Sequence, residues 1–139
     1  MSIVTIGWFS GALIALVAVP ASAADWQLVA EGDDGARIFI DNESVARMGD
    51  LAQAWIRTDL TEVASYKQII NQLWKIRCES NTLSIDRETR QKTVKDAAST
   101  VAIGPAARRF ELIDPDSAGA IVKTTVCRPP ASVPPQVDQ

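Results

Sequence analysis

Cys78 and Cys127 are the only two cysteines in this chain of 139 residues, and both lie downstream of an uncharged apolar segment. That combination constrains the fold more than any other feature. Residues 3–23 carry no Asp, Glu, Lys or Arg; the run Ala12 to Val19 is followed by Pro20 and then by Ala21, Ser22 and Ala23. An apolar stretch ended by small residues at this spacing reads as a secretory signal peptide, 1–23, cleaved after Ala23. No basic residue precedes the run, so an uncleaved membrane anchor is the alternative reading. The segment has no cysteine to be lipidated. An exported chain meets an oxidising compartment, where two cysteines pair. A bridge from Cys78 to Cys127 closes a loop of about 50 residues and restricts the unfolded chain by about 4 kcal/mol. That is comparable with the net stability of a small domain. A redox role fits less well, because the two are far apart rather than in a Cys-x-x-Cys motif, and no neighbour obviously lowers a thiol pKa.

The chain beyond residue 23 is long enough for one domain, 24–128, and too short for two. The tail 129–139 has four prolines and no aromatic residue, the composition of an extended, solvated segment. A net charge of −3 without a basic stripe argues against a nucleic-acid partner. The charge is unevenly spread: residues 24–62 hold three basic and nine acidic groups, residues 63–139 eleven and eight. Opposed patches of this kind steer a partner or neutralise each other across the fold.

Along the domain, Trp26–Val29 and Arg37–Asp41 read as two strands of a hairpin, joined by the Gly- and Asp-rich stretch Glu31–Gly35. Asn42–Met48 reads as a short helical turn closed by Gly49 and Asp50. Leu51–Leu60 alternates, with Ala52, Ala54 and Ile56 on one face and Gln53, Trp55 and Arg57 on the other, a half-buried strand. Residues 63–70 fit helical spacing and strand alternation alike. Ile69–Cys78 is taken as strand, placing Trp74 and Ile76 on the side of Cys78. Thr82–Ile85 comes next through a tight Glu79–Asn81 turn. A weak strand at Thr100–Ile103 and a short one at Arg109–Ile113 complete the sheet. Asp114 as cap and Pro115 at the first position predict a closing helix, with Ala118, Ile121, Val122 and Thr125 on one face and Arg128–Pro130 as its stop. The expected architecture is α+β: a small antiparallel sheet of five or six strands, a C-terminal helix packed on it, and one disulfide.

These landmarks carry a resemblance. Trp26 opens the exported part, Ile38-Phe39-Ile40-Asp41 leads to Ser44 and Arg47, and a strand around Trp55 precedes one ending in Cys78. Phe110, Ile113, Pro115 and Ser117 then lead to Cys127. In this order the chain resembles the surface-adhesin protein E-like family of bacterial exported domains, over nearly all of 26–127. The resemblance implies a small antiparallel sheet with a packed helix, and a binding role at the bacterial surface toward a host matrix or envelope protein. It implies a place in the periplasm or at the cell surface. No binding motif of the family maps onto individual residues here beyond the disulfide pair.

The chain has no histidine, which removes the commonest general base and the commonest transition-metal ligand. Asp33 and Asp34 with Asp41 and Glu43 offer oxygen ligands, but at a spacing that matches no calcium loop. There is no Gly-rich phosphate loop, and Ser44 lacks the glycine frame of a nucleophile elbow. No cofactor and no catalytic residue is predicted. The candidates for partner binding are Trp55 and Arg57, and Arg87, Arg90 and Lys92 of a basic run that continues to Lys95. Trp26, Trp55 and Trp74 read most simply as core, with Trp55 the exception because it shares its face with Gln53 and Arg57. Exposed Trp beside Arg has the composition of an interface hot spot. The basic run reads alternatively as a charged edge strand that discourages pairing. A non-enzymatic exported binding module is the leading reading. An envelope structural or assembly factor tethered at the inner membrane is second, and a carboxylate-only hydrolase third.

Overall fold

The computed structural model describes residues 23–129; the expected signal peptide, apart from Ala23, and the expected extended tail, apart from Pro129, lie outside the described residues. Alternation and turn chemistry divide the domain into β1 (Trp26–Glu31), β2 (Arg37–Asp41), a 3-10 turn (Asn42–Ser44), β3 (Ala46–Met48), β4 (Leu51–Asp59), β5 (Ile69–Arg77), β6 (Thr82–Gln91), β7 (Ser99–Val101), β8 (Glu111–Leu112) and α1 (Ala118–Val126). Gly35 turns the first hairpin at φ +87°, a left-handed conformation that favours glycine, and a Cβ there would sit 3.2 Å from Glu62 Cβ. Asn81, at φ +55°, turns the β5–β6 hairpin. Its amide donates to the Ile113 carbonyl and its own carbonyl accepts from the Ile113 N–H, tying that turn to the approach of α1.

All strands pair antiparallel in one sheet, in the order β1-β2-β4-β5-β6-β7, with β3 also alongside β4 and β8 alongside β6. Among the described residues there are eight strands rather than the expected five or six, and these residues are mainly sheet. The strand absent from the expected set is β3. The 3-10 turn at Asn42–Ser44 separates β2 from β3, and both pair with β4. Residues 102–110 separate β7 from β8, and both pair with β6. The expected helical turn at Asn42–Met48 is therefore only its first half. Ala46–Met48 finds its hydrogen bonds on β4 instead, because Gly49 at φ +61° turns the chain straight back onto it.

The resemblance motif around Asp41 is architectural. The Asp41 carboxylate accepts from the Asp25 and Glu43 N–H groups at 2.9 and 3.2 Å. Ser44 Oγ donates to the Asp41 carbonyl and accepts from the Trp55 N–H, pinning the turn to β4. Arg47 reaches across to the far end of the chain, where its Nε donates to the Val126 carbonyl at 2.7 Å. That carbonyl is one of the helix-end acceptors left without an intrahelical partner, and a cation there also complements the helix dipole.

One face of the sheet and α1 enclose the core: Ile40, Ala52, Ala54, Ile56, Trp74, Ile76, Ile113, Val122 and Val126. Ala52, Ala54 and Ile56 are buried together as their alternation predicts. Of the three tryptophans read as core, only Trp74 is buried there. The helix differs from expectation at both its start and its face. Asp114 commits its side chain to the Asp116 N–H and its carbonyl to Ser117 Oγ, so an independent turn forms and the helix begins at Ala118 with Ser117 as N-cap. The buried face is Gly119, Val122 and Val126, whereas Ile121 is exposed. Gly119 permits that phase: a Cβ on it would lie 3.2 Å from Ile113 Cγ2 and 3.7 Å from Leu83 Cδ2, so this side of the helix packs closely because it has no side chain there. At the end of α1, Cys127 is bridged to Cys78 just past β5, with a Cα–Cα distance of 5.7 Å.

Candidate binding face

The register across β1, β2, β4, β5 and β6 defines the second face, turned away from α1. Directly opposed residues share a side, so Leu28, Phe39, Arg57, Asn71 and Thr89 form one row and Trp55, Leu73 and Arg87 the next. Trp26 and Asp41 lie beside them on the outer strands. Trp55 is half-buried in the middle of this face.

Two groups of charges order the face. The Arg57 guanidinium sits 4.0 Å from the centre of the Trp26 ring and donates from Nε to Asn71 Oδ1 at 2.9 Å. Burial pushes the Arg57 pKa down, partly offset by Asp59 and Asp41; a guanidinium starts so high that it remains cationic. At the rim, Arg37 pairs with Asp59 at 2.9 Å, and Thr61 donates to the same carboxylate from its N–H and hydroxyl at 2.9 and 2.6 Å. Burial alone raises the Asp59 pKa, but the Thr61 hydrogen bonds and the Arg37 charge outweigh it and hold it below the usual value. A carboxyl depressed on folding contributes stability that is fully present above its unfolded pKa, about 3.9. That contribution is lost as pH falls through the lower, folded value. In urea titrations at a series of acid pH values, wild type should therefore lose stability below about pH 4 more steeply than Asp59→Asn. Parallel acid limbs would show that Asp59 carries none of this dependence.

Between β6 and the segment 100–108 lies an open groove of about 670 Å³. Trp55 and Ile103 are its large apolar residues, and Arg87 and Arg108 line it as well. The structure thus brings together Trp55 and Arg87, with Arg57 on the same face but engaged by Trp26 and Asn71. Arg90 and Lys92 belong elsewhere, in a separate hollow of about 380 Å³ with Gln68 and Asp96, and Arg90 Nε donates to Glu88 Oε1 at 2.7 Å. The charged-edge reading of this run is corrected as well. β6 continues to Gln91 and at Glu88–Arg90 is flanked on both sides, by β5 and β7. Sequence reasoning passed over Arg108; the available signal was that residues 97–110 contain no acidic residue. Trp26 as a partner of Arg57 left no signal, since it depends on the pairing of β1, β2 and β4.

Asp33 and Asp34 lie in the turn before β2, Asp41 and Glu43 at its far end, so these four acids do not converge on one ion. Among the described residues no group of three or more acidic or cysteine side chains is gathered for a metal, and no helix is long and apolar enough to cross a membrane.

The family model for surface-adhesin protein E matches residues 26–128. The chain belongs to that family. Searches of curated proteins and of solved structures returned no match. The matched region of this surface-adhesin protein E member opens with β1, takes in the whole sheet and α1, and closes just beyond Cys127. Among the residues that carried the resemblance in the sequence, Asp41, Ser44, Arg47 and the two cysteines hold the adhesin-family fold together. The cationic groups of the second face are outside that set, whereas its aromatic residues Trp26, Phe39 and Trp55 belong to it.

Proposed function

We propose that this chain is an exported, non-enzymatic binding module that holds a host matrix or envelope protein on the sheet face turned away from α1. Family membership supports an adhesin-like binding role and a place outside the cytoplasm. The observation that carries the assignment to this face is Trp55, half-buried beside Leu73 and Arg87 on a side of the sheet that α1 leaves uncovered. Trp and Arg dominate interface hot spots because they bury much area and still offer polar contacts. Export through residues 1–23 belongs to the same proposal: mass spectrometry of the exported chain should give Ala24 as the mature N-terminus. A retained segment would instead tether the module to the membrane.

The test combines location with capture. Protease shaving of intact cells, beside osmotically shocked cells, distinguishes the outer surface from the periplasm. Surface plasmon resonance over a panel of immobilised extracellular-matrix proteins, or over solubilised envelope proteins if shaving requires shock, then compares wild type with Trp55→Ala. The variant should melt within a few degrees of wild type and bind about thirtyfold more weakly, the loss typical of a hot-spot tryptophan. Binding equal to wild type would remove this face from the function.

A further inference from the structure

We infer that the groove between β6 and the segment 100–108 takes an extended acidic peptide segment, its carboxylates on Arg87 and Arg108 and its apolar atoms against Trp55. The inference rests on the reading that this sheet face binds the partner, and it names the chemistry of what binds.

The groove holds more positive charge than its own acids neutralise. Two acidic residues border it, and both are occupied. Asp86 lies 3.1 Å from Lys75 Nζ, and Glu88 accepts from Arg90 at 2.7 Å and from Gln72 at 2.6 Å. Arg87 has only the longer approach to Asp86, at 3.8 Å, and its side chain is 71% exposed. Arg108 is exposed and makes no ion pair or side-chain hydrogen bond among the described residues, and the segment that carries it has no acid from residue 97 to 110. The groove therefore presents two guanidinium forks whose geometry suits carboxylates, each able to form paired hydrogen bonds.

The walls select among anions. Trp55 with Ile103 gives an apolar surface beside the cations. A small inorganic anion gains nothing from such a wall and would leave most of a 670 Å³ groove empty. A sulfated glycan would pair with the two cations but gain little from the apolar part of the lining. A peptide alternating carboxylates with an apolar side chain satisfies both parts of the lining.

Calorimetric titration of the purified, oxidised chain with an acetylated, amidated Glu-Glu-Phe-Glu-Glu peptide tests this, beside the same peptide with Lys in place of Glu. The acidic peptide should bind and the basic one should not. Arg87→Ala and Arg108→Ala should each weaken binding about tenfold, as loss of a charge-assisted contact does. Arg128→Ala, an exposed arginine beyond the helix, should leave it unchanged. Raising the salt from low to about 0.5 M should weaken the wild type more than either groove variant. Equal affinities for the two peptides, or an affinity untouched by both groove variants, overturns the proposal. So does a heparin fragment that binds more tightly than the peptide through the same two arginines. Self-association of the free chain that Arg108→Ala abolishes would give the groove to the acidic half of a second copy, and overturns it too. If the peptide fails while Trp55→Ala still loses matrix or envelope capture, the groove assignment falls and the binding face stands. If the peptide binds while Trp55→Ala captures normally, the face reading falls instead.

Discussion

The double variant Cys78→Ala, Cys127→Ala should melt on the order of 15–20 °C below the oxidised wild type, the shift that about 4 kcal/mol produces in a domain of this size. The bridge joins positions 49 residues apart, so it removes a large share of the conformations open to the unfolded chain. Its placement adds to the effect. Cys127 is the residue that ends α1 and Cys78 comes just after β5, so the bond fixes the last element of the domain to the centre of the sheet. Without it, α1 is held by Arg47 at its C-terminal carbonyl and by a short apolar face of Val122 and Val126 around Gly119. Nine residues of helix are marginal on their own. Calorimetric melting of both proteins, and of the wild type after reduction, checks the expectation. Equal melting temperatures would show that the bridge is not structural.

Trp74→Ala should cost about 3–5 kcal/mol, the range for truncating a large aromatic side chain in a core, and bring a domain of ordinary stability close to unfolding. Trp74 is 8% exposed and packs in the cluster between the sheet and α1. Its polar atom is satisfied as well. Nε1 donates to Gln72 Oε1 at 2.8 Å, while Gln72 Nε2 donates to Glu88 Oε2 at 2.6 Å, and Glu88 holds Arg90. Removing the indole thus empties a space in the core and leaves Gln72 without its donor. Trp74→Phe keeps most of the ring and loses only the hydrogen bond, so it should cost well under half as much. Urea midpoints at neutral pH measure both. A loss for Trp74→Ala no greater than for Trp55→Ala would mean that the two tryptophans do not divide between core and binding face as described.

That division was half legible in the sequence. Alternation from Ala52 to Arg57 put Trp55 opposite the apolar face of β4, and the structure places it there. The same alternation was silent on β6 beyond Ile85. From Asp86 to Gln91 the strand is polar, because its pairing rests on backbone hydrogen bonds to β5 and β7 rather than on an apolar face. A run such as Arg87 to Lys95 therefore looked like an edge although part of it is flanked on both sides. The helix illustrates the converse. Its apolar residues were visible, but the face they bury is permitted by Gly119, whose contribution is the absence of a side chain and which hydropathy cannot mark.

The single disulfide, most of the antiparallel strands and the closing helix could all be read from the order of residues. Each of these depends on residues near one another in the chain or, for the disulfide, on there being only two partners. Which charges are left over emerged only when the strands came together. Arg57 is taken up by Trp26 and Asn71 across three strands, and Glu88 takes up Arg90. Arg87 and Arg108, 21 positions apart in the sequence, meet in one groove with Trp55. A pairing between strands distant in sequence sets which side chains face one another, and no local property of either residue encodes it.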